Sequence, residues 1–152
     1  MKSLKVSIRT EKRVKGLRLK TLKETLIKFL RMLDLEGVEV SVFLCSDETI
    51  RELNRIYRNK DKPTDVLSFE LNENVGKFTL LGEIVISLDT AKRQAQELKH
   101  SLEEELKRLL AHGLVHLLGY DHEKGGEEAK LFFSLEGWLL SGEENKLYHP
   151  TR

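Results

Sequence analysis

The hydrophobic residues of this sequence change their spacing several times along the chain. In Leu4 to Arg9 and Val38 to Cys45 they alternate with polar residues, which is typical of strands with one buried face. From Leu19 to Leu33 they recur every three or four residues, which is typical of an amphipathic helix. Over the whole chain the order reads strand, helix, strand, helix, strand, strand and three helices. We therefore expect an α+β fold, with one small mixed β-sheet of about four strands packed with helices.

Local signals predict the other elements. Ser46 or Asp47 is suited to cap a helix that runs to about Tyr57. Ser101 with Glu104 three residues later forms the capping box of a long helix. We further expect a strand over Leu67 to Leu71, a turn at the NENVG segment, and a strand over Phe78 to Leu88 with a bulge or close backbone approach at Gly82. A helix capped by Asp89 follows the second of these strands. The last predicted helix runs from about Glu127 to Leu140 with Trp138 in the core, and a loose tail covers 141–152.

Length and composition exclude several classes of protein. The 152 residues suit one domain spanning 1–152, and 39% hydrophobic with 34% charged residues excludes a disordered or collagen-like chain. No apolar run approaches the ~20 residues of a membrane span, and the start carries charges where a signal peptide is apolar. The one cysteine, Cys45, lies in an apolar segment and is expected to be a core thiol. These features predict a cytoplasmic protein that does not bind membranes.

The near-neutral net charge of +1 hides an asymmetry. Residues 1–31 hold eleven Lys or Arg against two Glu, whereas the rest of the chain holds 15 basic and 23 acidic residues. A basic region of this size favours an anionic polymer such as RNA, because phosphate contacts release counterions. A solvated helix face explains the same pattern equally well.

The segment HGLVHLLGYDH, residues 112–122, contains three histidines at spacings that suit a metal site. His112 and His116 are four residues apart near the end of the predicted long helix, so their side chains share one face. Gly119 is suited to end the helix and reverse the chain, which would return His122 to the same place. Three neutral imidazoles with a fourth position left for water match the ligand set of a catalytic zinc. His100 and His149 have no partners at ligand spacing and are expected on the surface.

The spacing of His112, His116, Gly119 and His122 resembles the metzincin pattern HExxHxxGxxH. The glutamate that acts as the general base of those peptidases is replaced here by Gly113. Both methionines precede the histidines, so the Met-turn is missing as well. These departures count against a zinc peptidase.

The same segment more closely resembles the HGxxHLxGYDH signature of the YbeY family of bacterial rRNA-processing metalloproteins. The stretches NRIYRNKDKPTDVLSF and LGEIVIS also resemble that family, so the likeness covers most of residues 47–122. It implies a zinc ion held by His112, His116 and His122, and a functional arginine at Arg58. It also implies a single-strand endoribonuclease that acts in 16S rRNA 3′-end maturation and ribosome quality control, with RNA and the ribosome as partners.

The residues themselves favour a ribonuclease but leave parts of its chemistry open. A guanidinium suits the charge that develops on a phosphate, and a helix would place Arg51, Arg55 and Arg58 on one face. Asp121 could orient an imidazole, accept a proton or simply form a turn, and Thr64 with Asp65 could line the site or form a turn. A zinc amide hydrolase and a non-catalytic ribosome-biogenesis factor with structural zinc remain as alternatives. Histidine triads also bind other transition metals.

Overall fold

The computed structural model describes residues 3–142, and its elements follow the predicted order. It is an α+β fold with a four-stranded sheet and five helices. None of the helices within these residues is both long and apolar enough to cross a membrane. The elements are β1 (Leu4–Thr10), α1 (Leu19–Met32), β2 (Val38–Cys45), α2 (Asp47–Arg58), β3 (Val66–Val75), β4 (Phe78–Ser87), α3 (Leu88–Leu98), α4 (Leu102–Leu117) and α5 (Gly126–Ser141).

The sheet is mixed, with the strand order β1-β2-β4-β3. The β1, β2 and β4 strands are parallel, and β3 pairs antiparallel with β4 as a hairpin. One face of the sheet packs on α1 and α4, and α3 and α5 pack against α4 in turn. The other face meets α2 through a smaller cluster of Cys45, Ile50, Leu67 and Val85. The helix α4 is therefore held between the sheet and its neighbouring helices.

Two glycines lie at close contacts, Gly82 between the strands β3 and β4 and Gly113 between α4 and the sheet. A Cβ on Gly82 would lie 2.1 Å from the Phe69 carbonyl oxygen, and the register between β2 and β4 shifts beside it, so both predicted roles of this glycine are confirmed. A Cβ on Gly113 would lie 2.7 Å from Ile84 Cγ2. Position 113 thus faces the sheet, and a carboxylate there would enter the helix–sheet contact.

The turn predicted at NENVG is displaced, because only its last residue, Gly76, lies in the turn. The strand β3 continues to Val75, and the chain reverses at Gly76 and Lys77. A register shift between Glu70 and Glu73 interrupts the hairpin, with Asn72 in a left-handed conformation. Polar, turn-forming residues mislead here because the outer part of β3 is exposed and is held by backbone pairing, which does not depend on side-chain type.

The predicted cap at Asp89 is wrong. The cap is Ser87, two residues earlier, so α3 begins at Leu88, and the Ser87 hydroxyl accepts the hydrogen bond of the Thr90 amide. Asp89 lies in the first turn and accepts a bond of 2.8 Å from the Asp47 amide. Its carboxylate therefore accepts a hydrogen bond from the first residue of α2, and this contact exists only because the two helices start close together in the fold.

Candidate metal centre

The three histidines of HGLVHLLGYDH meet at the end of α4. The capping box of Ser101 and Glu104 starts this helix as predicted, and Gly119, at φ +96°, follows its end. The reversal brings the third ring back, and the ring centroids lie 5.0 to 5.2 Å apart. Each histidine offers a nitrogen within 4.8 Å of the others'. This is the convergence that the spacing predicts for His112, His116 and His122.

A phenylalanine of α5 forms one wall of the cluster. Phe132 is fully buried, and its ring centroid lies 4.7 to 4.9 Å from that of each histidine. Burial lowers the pKa of His116, and the neighbouring His112 and His122 lower it further. Because a metal binds only the neutral imidazole, this environment favours the ligand form. No motif in the sequence marks Phe132 as part of the site, because it lies on another helix.

A carboxylate of α5 orients one of the rings. Glu136 Oε2 lies 2.6 Å from Nδ1 of His112, and both side chains are largely buried. A carboxylate is an acceptor, so the hydrogen bond assigns the proton to Nδ1 and leaves the Nε2 lone pair for a metal. Sequence reasoning missed Glu136, because it lies 24 residues away on another helix.

The donor set fits an open metal site. Within residues 3–142, no fourth histidine, cysteine or carboxylate joins the three histidines at ligand distance. Three neutral nitrogen ligands with an open position are typical of catalytic rather than structural zinc. Cys45 is buried in the cluster under α2, where burial, followed by the charges of Glu11 and Asp47, raises its pKa to about 12. It is a core thiol, as predicted.

Arg58 lies at the end of α2 and lines the same cleft as the histidines. Its Nη2 donates a hydrogen bond of 2.8 Å to the Ser68 carbonyl, and its guanidinium lies 5.2 Å from the centroid of the Phe69 ring. These contacts hold the guanidinium against the edge strand β3. By contrast, Arg51 pairs with Asp61 and Arg55 with Glu52, and neither arginine lines the cleft.

The cleft has a volume of about 880 Å³. Thr64 and Asp65 line it, as the sequence suggested, and the buried Asn54 holds the loop before them through a bond of 2.9 Å to the Lys62 carbonyl. Of the basic segment 1–31, none of the described residues 3–31 lines the cleft. Four basic and four acidic residues balance in the lining: Arg58, Lys60, Lys62 and Lys124 against Asp65, Glu70, Asp121 and Glu123. The side chains other than the histidines therefore bring no net formal charge to the cleft.

The sequence also gives expectations for Asp121 and for two further histidines, His100 and His149. Asp121 Oδ1 accepts a bond from the Glu123 amide, which is the turn role among those considered. His100 is not a simple surface residue, because its Nε2 lies 2.8 Å from a carboxylate oxygen of the buried Glu105. Its partner lies one turn into the following helix, which residue spacing alone did not reveal. His149 lies outside the described residues, as does the predicted tail beyond residue 142.

Comparison with known proteins identifies the family. The profile of the family described as "Endoribonuclease YbeY" matches residues 5–141. Relatives with this name include one from Aquifex aeolicus, 63% identical over 112 residues (74% of this chain and 75% of the relative), and one from Sulfurihydrogenibium, 52% identical over 118 residues (77% and 78%). The solution structure of TM1509 from Thermotoga maritima is 31% identical, with a TM-score of 0.61 over 91% of this chain and 87% of that one. The chain belongs to the YbeY family of endoribonucleases.

Proposed function

We propose that this chain is a zinc-dependent endoribonuclease that cleaves single-stranded RNA in the cytoplasm. Its family membership and the three convergent histidines support this proposal. The observation that carries it is an open histidine triad and an arginine, Arg58, lining one cleft. The family resemblance further supports a role in 16S rRNA 3′-end maturation and ribosome quality control, with the ribosome as the partner.

His112, His116 and His122 would hold the metal, with Glu136 orienting the first of them. A zinc ion there would supply a Lewis acid that polarises a phosphoryl oxygen and acidifies a water molecule. Three neutral ligands leave the charge of the ion undiminished, which suits an anionic substrate. Histidine triads also bind iron, nickel and copper, so the choice of zinc is part of the proposal.

Arg58 would bind the non-bridging oxygens of the phosphate. The Ser68 carbonyl accepts one N–H of the guanidinium, which leaves its other N–H groups for the phosphate, and the Phe69 ring packs against the guanidinium. Such a preorganised cation stabilises the charge that develops on the phosphate without having to reorganise during the reaction. Arg58 is therefore the residue that we assign to transition-state stabilisation.

The two alternative functions have less support. A peptidase of the metzincin type needs a base next to the first histidine, but position 113 faces Ile84 of the sheet. A structural zinc site would be closed by four protein ligands. No fourth candidate joins the cluster within residues 3–142.

The decisive experiment compares two arginines of the same helix. We expect Arg58→Glu to keep the fold and the metal but to lose RNA cleavage, whereas Arg55→Glu should keep all three. His116→Ala should lose stoichiometric metal, measured by elemental analysis of the purified protein. Normal cleavage by Arg58→Glu would refute the mechanism, and cleavage of peptide but not RNA pools would refute the function. Cosedimentation with ribosomal subunits tests the proposed partner.

A further inference from the structure

Two exposed aromatic side chains lie beside the candidate site. Between residues 3 and 142, the aromatic residues with the most exposed side chains are Tyr57, at 61%, and Phe133, at 52%. Most other aromatic side chains in this part of the chain are at least half-buried in the core or under α2. Single exposed apolar residues are common on protein surfaces, so the position of these two rings next to the site, rather than their exposure, points to a role.

Phe133 directly contacts a residue that lines the cleft, and Tyr57 does so through one intervening ring. The Tyr57 ring packs edge-on against Phe69, with centroids 5.3 Å apart, and Phe69 is the ring beneath Arg58. The Phe133 ring lies 5.6 Å from the ring of His122, tilted by 38°. One aromatic side chain is thus coupled to the cationic side of the cleft and the other to its histidine side.

These two sides belong to different parts of the fold. Tyr57 is carried by α2, which packs on one face of the sheet, and Phe133 by α5, which packs against α4 on the other. The cleft contains residues from both sides, including Arg58 and His122. An RNA chain bound between Arg58 and His122 would therefore lie near both exposed rings.

We infer that Tyr57 and Phe133 are stacking surfaces for unpaired bases on either side of the scissile phosphate. This inference rests on the proposed function and extends it to the origin of single-strand specificity. Bases stack readily on aromatic rings whatever their sequence. A base within a duplex is already stacked and paired, so only single-stranded RNA offers a base to each ring.

Binding of short single-stranded RNA that contains 2-aminopurine tests this role, because stacking quenches the fluorescence of that base. Stopped-flow mixing with the intact protein measures the quench before cleavage. We expect Tyr57→Leu and Phe133→Leu each to lose quenching and to weaken Kd about tenfold. Leucine keeps an apolar side chain but removes the ring face. Tyr57→Phe and Phe133→Tyr should retain binding, as should the controls Ile56→Ala on α2 and Leu140→Ala on α5.

RNA with abasic positions completes the experiment. The leucine variants and the wild type should bind such RNA equally weakly, because the stacking partner is gone. Wild-type Kd and quenching in either leucine variant would overturn the two-sided arrangement. It would also be overturned if a leucine variant bound abasic RNA more weakly than the wild type by the same factor as it binds intact RNA. A change of oligomeric state in sedimentation would instead assign these rings to contact with a second copy. Failure of the wild type to cleave RNA would refute the proposed function separately, because binding is measured without turnover.

Discussion

The carboxylate of Glu136 lies 2.6 Å from Nδ1 of His112 and joins α5 to the end of α4. This bond selects the imidazole tautomer with a free Nε2 lone pair, so we expect the metal affinity of the three histidines to depend on a residue that is not itself a ligand. The same helix supplies Phe132, which packs against all three rings. The helix α5 therefore supports the candidate metal centre through both contacts.

Removal of this carboxylate should weaken metal binding. We expect Glu136→Ala to lower zinc affinity about 10- to 100-fold, since the His112 ring loses its fixed tautomer and orientation. Competition with a chromogenic chelator measures the affinity. Glu127→Ala, at the exposed start of the same helix, is the matched control and should bind normally. Unchanged affinity in Glu136→Ala would show that the bond has no part in metal binding.

The contact between α4 and the sheet should not tolerate a side chain at position 113. Gly113→Ala places a Cβ 2.7 Å from Ile84 Cγ2, so we expect a loss of about 1 to 3 kcal/mol in the free energy of unfolding. Gly137→Ala, also within a helix but with open space around it, should be neutral or stabilise by about 0.5 to 1 kcal/mol. Urea denaturation compares the two. Equal stabilities would mean that α4 can move away from the sheet at little cost.

Acid should destabilise the junction of α2 and α3. Burial raises the pKa of Asp47, but hydrogen bonds from Ser87, Thr90 and Arg93 outweigh it and hold the pKa below the ordinary 3.8. A depressed folded-state pKa contributes stability that is present above the unfolded pKa and is lost as pH falls through the folded pKa. We therefore expect the loss of stability below about pH 4 to be shallower in Asp47→Asn.

Thermal unfolding at a series of acidic pH values measures the effect at Asp47. Glu48→Gln, which changes the next residue in the same turn, is the control. If Asp47→Asn lost stability with falling pH as steeply as the wild type, Asp47 would not be the group whose protonation destabilises the junction.

The basic segment 1–31 should contribute to RNA affinity if its charge serves binding. Lys20 and Lys23, with Lys5, line a groove beside the edge strand β1, away from the residues that line the cleft. Replacing Lys20 and Lys23 with Glu should weaken RNA binding and make log Kd less dependent on log salt. Titration over a range of salt concentrations measures this slope. An unchanged slope would show that these lysines only solvate the helix.

The sequence determined the order of the elements and the cluster of histidines, because both follow from local spacing. Alternation and helical periodicity predicted the four strands and five helices. The capping box, the left-handed Gly119 and the interval of four residues between His112 and His116 are contained in one short stretch of chain. These local features can be predicted without knowing which distant residues pack against them.

Only the tertiary structure decided what surrounds that cluster. Phe132 and Glu136 reach it because α5 packs against α4, and Arg58 reaches the cleft because α2 ends beside the edge strand β3. The separation of the basic segment 1–31 from the cleft lining and the extension of β3 through its polar half also depend on long-range packing and strand pairing. Contacts between residues far apart in the chain leave no periodic signal in the sequence, so the fold alone reveals them.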